Sequence, residues 1–513
     1  MKFYKLLVIG LMAVMTVACG GGSKDIIKPQ PDPDTGSGIQ TKPGMNLVGK
    51  VTVSGSPRQG IVVSDGVNVV ITDANGEYQM STTGRQHVFV SIPADCEVPV
   101  SGGMPKIYQV IDFSKGKVAT CNFDLQGKTK LNEWTLFIQA DPQLGNTRDI
   151  ADYTMEILPG MKSFAASISP NAYGIQLGDI VWNKPENYAE YTKLMSQISV
   201  PFFSVIGNHD HNENVKNDTD SDKEFRDALG PTYYSLNIGD AHIVVLDDVL
   251  YSGATGRNDY KGTITDQQLE WLKKDLSFVS RDKMIILGIH IPSKRRNSTS
   301  HVSNNQALYD LIKGYAEVQI LSGHSHNQYT TTIADNMTET TFGAVMGAYW
   351  YPLCNDGSPR GYAAMKIKGN KAVDKFYMGT DNNRDYQMKL YKPEDAVLWD
   401  PSKNPGTPYD KILANIFCWH QDWTVEVQED GGSWKTLTDA DRLIPANVGG
   451  KVWDPDVRKC LNSAGEIPAN HSGSKPENKN DHMFLYTPAE SWSSVTFRAT
   501  DSFGNQYTST LNK

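Results

Sequence analysis

Residues 201–210 read Pro-Phe-Phe-Ser-Val-Ile-Gly-Asn-His-Asp, and this stretch decides how the chain folds. Pro201–Ile206 is a short, almost wholly apolar run, the pattern of a strand buried on both faces. It passes through Gly207 into an amide, an imidazole and a carboxylate. In an α/β sheet, ligands bind at the carboxyl ends of the strands, where these three polar groups fall.

The same arrangement recurs on either side. Trp134–Ala140 runs into Asp141-Pro142-Gln143, and Tyr173–Leu177 into Gly178-Asp179. Lys283–Ile289 runs into His290, and Glu317–Leu321 passes through Ser322 into Gly323-His324-Ser325-His326. His242–Leu246 is a further strand candidate. Helical patterns lie between, at Glu186–Gln197 and at Asp266–Leu276, the second opening on Thr265 with Gln268 three residues on. Alternation of this kind from about residue 131 to 333 predicts a layered α/β domain. Singly, each polar string has an ordinary reading: Asp-Pro as a turn, a lone His290 as a core residue. Together, in order and each at a strand end, they point to one site. Carboxylates, an amide and imidazoles without a thiolate suit harder divalent ions such as Mn, Fe, Zn or Mg. A carboxylate shared between two ions is a common way to hold a pair.

This set resembles the calcineurin-like metallophosphoesterase superfamily, whose pattern D-x-H, G-D, G-N-H-[DE], H and G-H-x-H it follows over residues 131–333. With its flanking β modules the chain is similar to a bacterial three-domain lipoprotein subgroup. The resemblance implies a four-layer α/β/β/α core and hydrolysis of a phosphate mono- or diester through a dinuclear metal centre with a metal-activated hydroxide. It implies one divalent ion on Asp141, Asp179 and His326, and a second on Asp179, Asn208, His290 and His324, with Asp179 bridging. His209 would protonate the leaving oxygen, and Asp210 would orient its ring. Gln143 departs from the pattern, which has His there; an amide oxygen still ligates, but more weakly. Asn183 and His211 lie near the motifs and are substrate-binding candidates. So are Trp350, within Tyr349-Trp350-Tyr351, and Arg360, in the loop that follows. Lys294-Arg295-Arg296 could attract a second anionic group. The alternative is a non-catalytic, surface-anchored binding lipoprotein that keeps the fold.

Around this core the sequence divides further. Residues 1–18 carry Lys2 and Lys5 and then an apolar run too short to span a bilayer, a secretory leader. Thr16-Val17-Ala18-Cys19 resembles a bacterial lipobox, so Cys19 would carry a lipid anchor in the membrane. The chain is then expected to be an exported lipoprotein facing the periplasm or the cell surface. Residues 19–44 are a Gly/Pro/Ser-rich linker. Residues 45–128 alternate like a β-sandwich, similar to the carboxypeptidase regulatory-like domain, with an Asn75-Gly76 turn. The resemblance implies a phosphoesterase domain over residues 129–386, and 387–513 is expected to be a β-rich domain.

Composition fits several ordinary folded domains: 513 residues, 39% hydrophobic and 21% charged. Lys plus Arg number 49 against 58 acids, a net charge of -9, and losing the leader's two lysines takes it to -11. No nucleic-acid polymer is expected as a partner, because nothing in this balance suggests a basic face. The expected partner is a phosphate ester, drawn to a small metal-centred site. Six cysteines are too few for a disulfide-dense scaffold. Cys96, Cys121, Cys354, Cys418 and Cys460 leave the pairing open, and no C-x-x-C motif occurs.

Overall fold

The computed structural model describes residues 38–296, 301–348, 352–396, 410–444, 452–460 and 480–513. The leader, Cys19, most of the linker and Tyr349-Trp350-Tyr351 lie outside the described residues.

The first module is built on two small sheets, with a two-stranded hairpin of Val100–Ser101 and Met104–Pro105 beside them. Leu47–Val53 is the central strand of one, and Val62–Ser64 and His87–Val90 are central in the other. Alternation puts Leu47, Val51, Val63 and Val88 inside. Gly76 takes φ +73° in the predicted turn, a conformation that a side chain would strain.

Two larger sheets build the core. In the first, the order is Phe202–Val205, Ala172–Leu177, Glu133–Gln139, Gly361–Lys368 and Lys371–Gly379. Its first three strands are parallel, and the last two form a hairpin added antiparallel to Glu133–Gln139. The second sheet centres on the parallel strands Ala241–Val245, Met284–Gly288 and Glu317–Ser322. Apolar residues of the two inner faces, including Ile138, Ile175, Val205, Ile243, Ile286 and Leu321, share one buried cluster. Each such side chain, fully buried, contributes roughly 1.5–3 kcal/mol.

Helices cover the outer faces. Leu158–Ile168 and Tyr188–Met195 pack Met161, Tyr191 and Leu194 with Phe137 and Phe202 of the first sheet. Asp266–Leu276 and Asn305–Ile312 bring Trp271, Leu272, Leu308 and Ile312 to the second. The layers are α/β/β/α, as the sequence led us to expect. Thr265 caps its helix by accepting from Gln268 N–H at 3.4 Å. The helix expected from Glu186 begins two residues later, because Pro185–Asn187 first forms a single 3₁₀ turn.

The last module is β-rich. Met388–Tyr391, Ile412–Ile416 and Met483–Tyr486 form one sheet, and Thr424–Glu429 and Ser494–Thr500 are central in a second. Arg296 fastens it to the core. Its guanidinium pairs with Asp481, donates to the carbonyls of Thr330 and Trp419, and lies over the rings of Tyr329 and Trp419. The five described cysteines are free thiols.

Candidate metal centre and active site

Parallel register brings the polar strand ends together. Gln139 pairs with Gln176 and Leu177 with Val205, so Asp141, Asp179 and Asn208 emerge at one edge. Gly288 pairs with Leu321, which sends His290 and His324 out at the matching edge of the second sheet. Two glycines permit the close approach. A Cβ on Gly207 would lie 2.2 Å from Asp179 N, and one on Gly323 would lie 2.6 Å from Asp141 Oδ2. Backbone strain concentrates here too. Of the nine non-glycine residues with positive φ among those described, six are Asp141, Gln143, Asp179, Asn183, His324 and His326. Such conformations persist where the surroundings enforce them.

Asp179 is the hub. Its Oδ1 lies 3.2 Å from His290 Nε2 and accepts the His209 backbone N–H at 2.8 Å. Its Oδ2 lies 3.2 Å from the Gln143 amide nitrogen. On the Oδ1 side, His290 Nε2 is 3.1 Å from Asn208 Oδ1 and 3.1 Å from His324 Nδ1. Ligand atoms of Asp179, His290 and His324 all lie within 4.8 Å of one another. On the Oδ2 side, His326 Nε2 is 3.1 Å from the Gln143 amide and 3.4 Å from Asp141 Oδ1.

This donor set fits a divalent cation. His290 donates Nδ1–H to the Leu177 carbonyl at 2.8 Å, so the neutral ring carries its lone pair on Nε2. That lone pair, the His324 Nδ1 atom and two oxygens converge in a largely buried place, where a proton or a cation relieves their mutual repulsion. Ionisation follows the same logic. Burial would raise the Asp179 carboxyl, but the imidazoles of His290 and His209 hold it well below its ordinary value. Burial would lower His290, yet Asp179 raises it. His324 is lowered by burial and by the charge of His290. Gln143 shows its amide nitrogen to both neighbours; the opposite amide orientation offers the carbonyl oxygen, so it can serve as the weak ligand.

His209 stands beside this centre. Its Nδ1 lies 3.1 Å from Asn183 Oδ1, and the Trp182 ring stacks on the imidazole at 3.8 Å between centroids. Burial pushes the imidazole down to about 4. The expected role of Asp210 is corrected. Its carboxylate faces away from the His209 ring and accepts from the N–H groups of Gly207, Ile180 and Val181 and from the Tyr188 hydroxyl. It therefore holds the loop, and burial, reinforced by Asp179, raises it to about 7.

The substrate candidates separate. Asn183 is at the site, on His209. His211 is buried, stacked on Tyr251 at 4.8 Å and bonded to Ser221 Oγ at 2.9 Å, so it props a loop and offers a ligand no surface. Arg360 is committed to Glu156 at 2.7 Å and Asp381 at 3.4 Å, away from the role expected of it. Trp350 lies outside the described residues. Of the basic triplet, Arg296 is the clamp to the last module, and Lys294 Nζ reaches the Thr332 carbonyl. Arg295 alone has its charge felt at His324.

Four residues were not foreseen. Asp248 accepts from the N–H groups of His290 and Ile291 at 3.1 and 2.9 Å and so fixes the loop that carries His290. Its signal was available, since Asp247-Asp248 ends the strand at 241–245 as the other motifs end theirs. Trp182 follows Gly178-Asp179 closely enough to have been noted. Tyr260, edge-on to His324 at 6.1 Å, and Arg257 lie on a hairpin distant in sequence from every motif.

Comparison with known proteins agrees with this geometry. Residues 140–328 match the family described as calcineurin-like phosphoesterase, residues 45–128 the N terminal of calcineurin-like phosphoesterase, and residues 339–507 its C terminal. A probable glycerophosphodiester phosphodiesterase of Arcobacter nitrofigilis is 31% identical over 160 residues, 30% of this chain and 56% of that protein. The chain thus spans little more than half the length of this curated relative. A dimetal phosphatase from Danio rerio is 13% identical, covering 48% of this chain and 99% of its own, with a TM-score of 0.34. A 5'-nucleotidase from Candida albicans is 16% identical, covering 49% of this chain and 53% of its own, with a TM-score of 0.31.

Proposed function

We propose that this chain, which belongs to the calcineurin-like phosphoesterases across its N-terminal, core and C-terminal parts, hydrolyses a phosphate mono- or diester at the Asp179 centre. The observation that carries the reading is that the two oxygens of Asp179 face two different ligand sets. His290, His324 and Asn208 would hold one divalent ion with Asp179. Asp141, His326 and Gln143 would hold the other with the same carboxylate. Such a pair, when bound, lowers the pKa of a water and offsets charge on the phosphoryl oxygens.

The protein's own residues do the rest. Asn183 Oδ1 accepts from His209 Nδ1–H, which fixes the ring and leaves Nε2 as the atom that delivers a proton to the departing oxygen. The neutral, half-buried imidazole gains proton affinity when an anionic ester arrives beside it. The backbone bond from His209 N to Asp179 Oδ1 ties the proton donor to the hub. The Tyr188 hydroxyl and the Asp210 carboxylate keep the loop from moving.

The test is hydrolysis of bis-p-nitrophenyl phosphate and p-nitrophenyl phosphate with added Mn. Activity is expected in the wild type and expected to collapse in Asp179→Asn. A wild type inert on both esters would return the non-catalytic alternative, which no observation at the site favours. The same proposal treats 45–128, 129–386 and 387–513 as units, supported by sheets whose strands stay within each range. It also makes Cys19 the lipid-bearing residue of an exported protein. Metabolic labelling with palmitate in a bacterial host, abolished by Cys19→Ala, checks that part.

A further inference from the structure

A cation stands over the proton donor's side of the site without an assigned task. Arg257 lies in the loop joining the hairpin strands Val249–Tyr251 and Tyr260–Gly262. It is exposed, and its guanidinium sits 5.9 Å from the centroid of the Trp182 ring. Trp182 in turn stacks on His209 at 3.8 Å. Arg257 makes no ion pair among the described residues, in contrast to Arg296 and Arg360, which are both held by carboxylates.

Position gives this cation a meaning. His209 delivers its proton to the leaving oxygen, so groups stacked outward from His209 face the departing alcohol. An indole backed by a guanidinium offers a flat apolar face and one positive charge. In a chain of net charge -9, an unpaired arginine beside a site for an anion adds selective attraction that the metal centre alone does not provide.

We propose that Arg257, carried over Trp182, recognises a negative charge on the leaving group, so that the preferred ester departs as an anionic alcohol bearing a phosphate or a carboxylate. This inference rests on the phosphoesterase reading and adds the substrate class to it. The reaction is ordinary hydrolysis: water adds to phosphorus, the P–O bond to the leaving alcohol breaks, and His209 supplies that oxygen's proton.

The experiment compares phenyl phosphate with its 3-carboxylate and 3-phosphonomethyl derivatives, or their methyl diesters if only diesters turn over. The expected result is a kcat/KM at least tenfold higher for one or both charged leaving groups. In Arg257→Gln the charged-to-neutral ratio is expected to fall about tenfold, and in Arg257→Lys to keep most of its value. The larger ratio of the two derivatives tells phosphate from carboxylate recognition. Esters hydrolysed without a charge preference, or a preference unchanged in Arg257→Gln, would overturn the inference and leave the phosphoesterase reading standing. Failure of every ester in the wild type would remove both.

Discussion

Asn183 Oδ1 lies 3.1 Å from His209 Nδ1, in the place that Asp210 was expected to fill. The difference has a kinetic signature. Removing the amide in Asn183→Ala frees the ring without removing it, so the loss should depend on how much the leaving group needs a proton. On p-nitrophenyl esters kcat is expected to fall only a few-fold. On alkyl esters it should fall toward the ~10²–10⁴ attributable to a general acid, the loss expected of His209→Ala. A steeper dependence of rate on leaving-group pKa in Asn183→Ala is the measurement; a uniform loss across leaving groups would point to misfolding instead.

Gly207 packs against the hub. A methyl group there would sit 2.2 Å from Asp179 N, a backbone atom that cannot swing aside. Gly207→Ala is expected to cost about 1–3 kcal/mol, the range for overpacking, and to displace Asp179. Denaturant melts would show the first effect, and calorimetric titration with Mn would show weakened binding as the second.

Arg296 joins the core to the last module through Asp481, both side chains being largely buried at 18% and 7% exposure. Without Arg296 the buried Asp481 keeps only the longer contact to Arg442 at 3.6 Å, so the cost is expected to fall below the about 3–5 kcal/mol of a fully broken buried pair. Arg296→Ala is therefore expected to lower the melting temperature and to expose the segment after residue 387 to limited proteolysis. A variant as resistant as the wild type would show that the two modules are held by other contacts.

His87 makes stability depend on acid. Burial, aided by Arg226 and Lys106, lowers its imidazole from 6.5 to about 4. The folded state thus holds it neutral where the unfolded chain already binds a proton. Its contribution is complete above pH 6.5 and is lost as pH falls through 4, amounting to about 3 kcal/mol at most. Unfolding free energies at pH 7 and pH 4 should differ by about that much more in the wild type than in His87→Gln.

Much of the fold and the donor set was legible because both are local signals. Each strand of Trp134–Ala140, Tyr173–Leu177 and Pro201–Ile206 carries its polar residues directly after its apolar run, so one reading places both. What sequence left unread is set by chain segments that meet from afar. The hairpin Gly361–Gly379 joins the first sheet more than 200 residues after Glu133–Gln139, its partner, and nothing local marks that pairing. Asp210 was assigned by adjacency to His209, but successive residues in a tight turn point different ways, and its carboxylate turns to Gly207 and Ile180. Arg296 and Arg360 carry charge that composition counts as available, while Asp481 and Glu156, distant in sequence, consume it. Arg257 and Tyr260 reach the site only through a hairpin that folds back over it.

The central claim is that divalent ions held around Asp179 make this chain a phosphoesterase. The most direct measurement follows metal content and ester hydrolysis together, after chelation and stepwise return of Mn, in the wild type and in Asp179→Asn. The expected result is hydrolysis that disappears on chelation and returns with bound Mn in the wild type, while Asp179→Asn loses bound metal and activity together. A wild type that hydrolyses neither p-nitrophenyl ester when loaded with Mn, or an Asp179→Asn variant as active as the wild type, would contradict it.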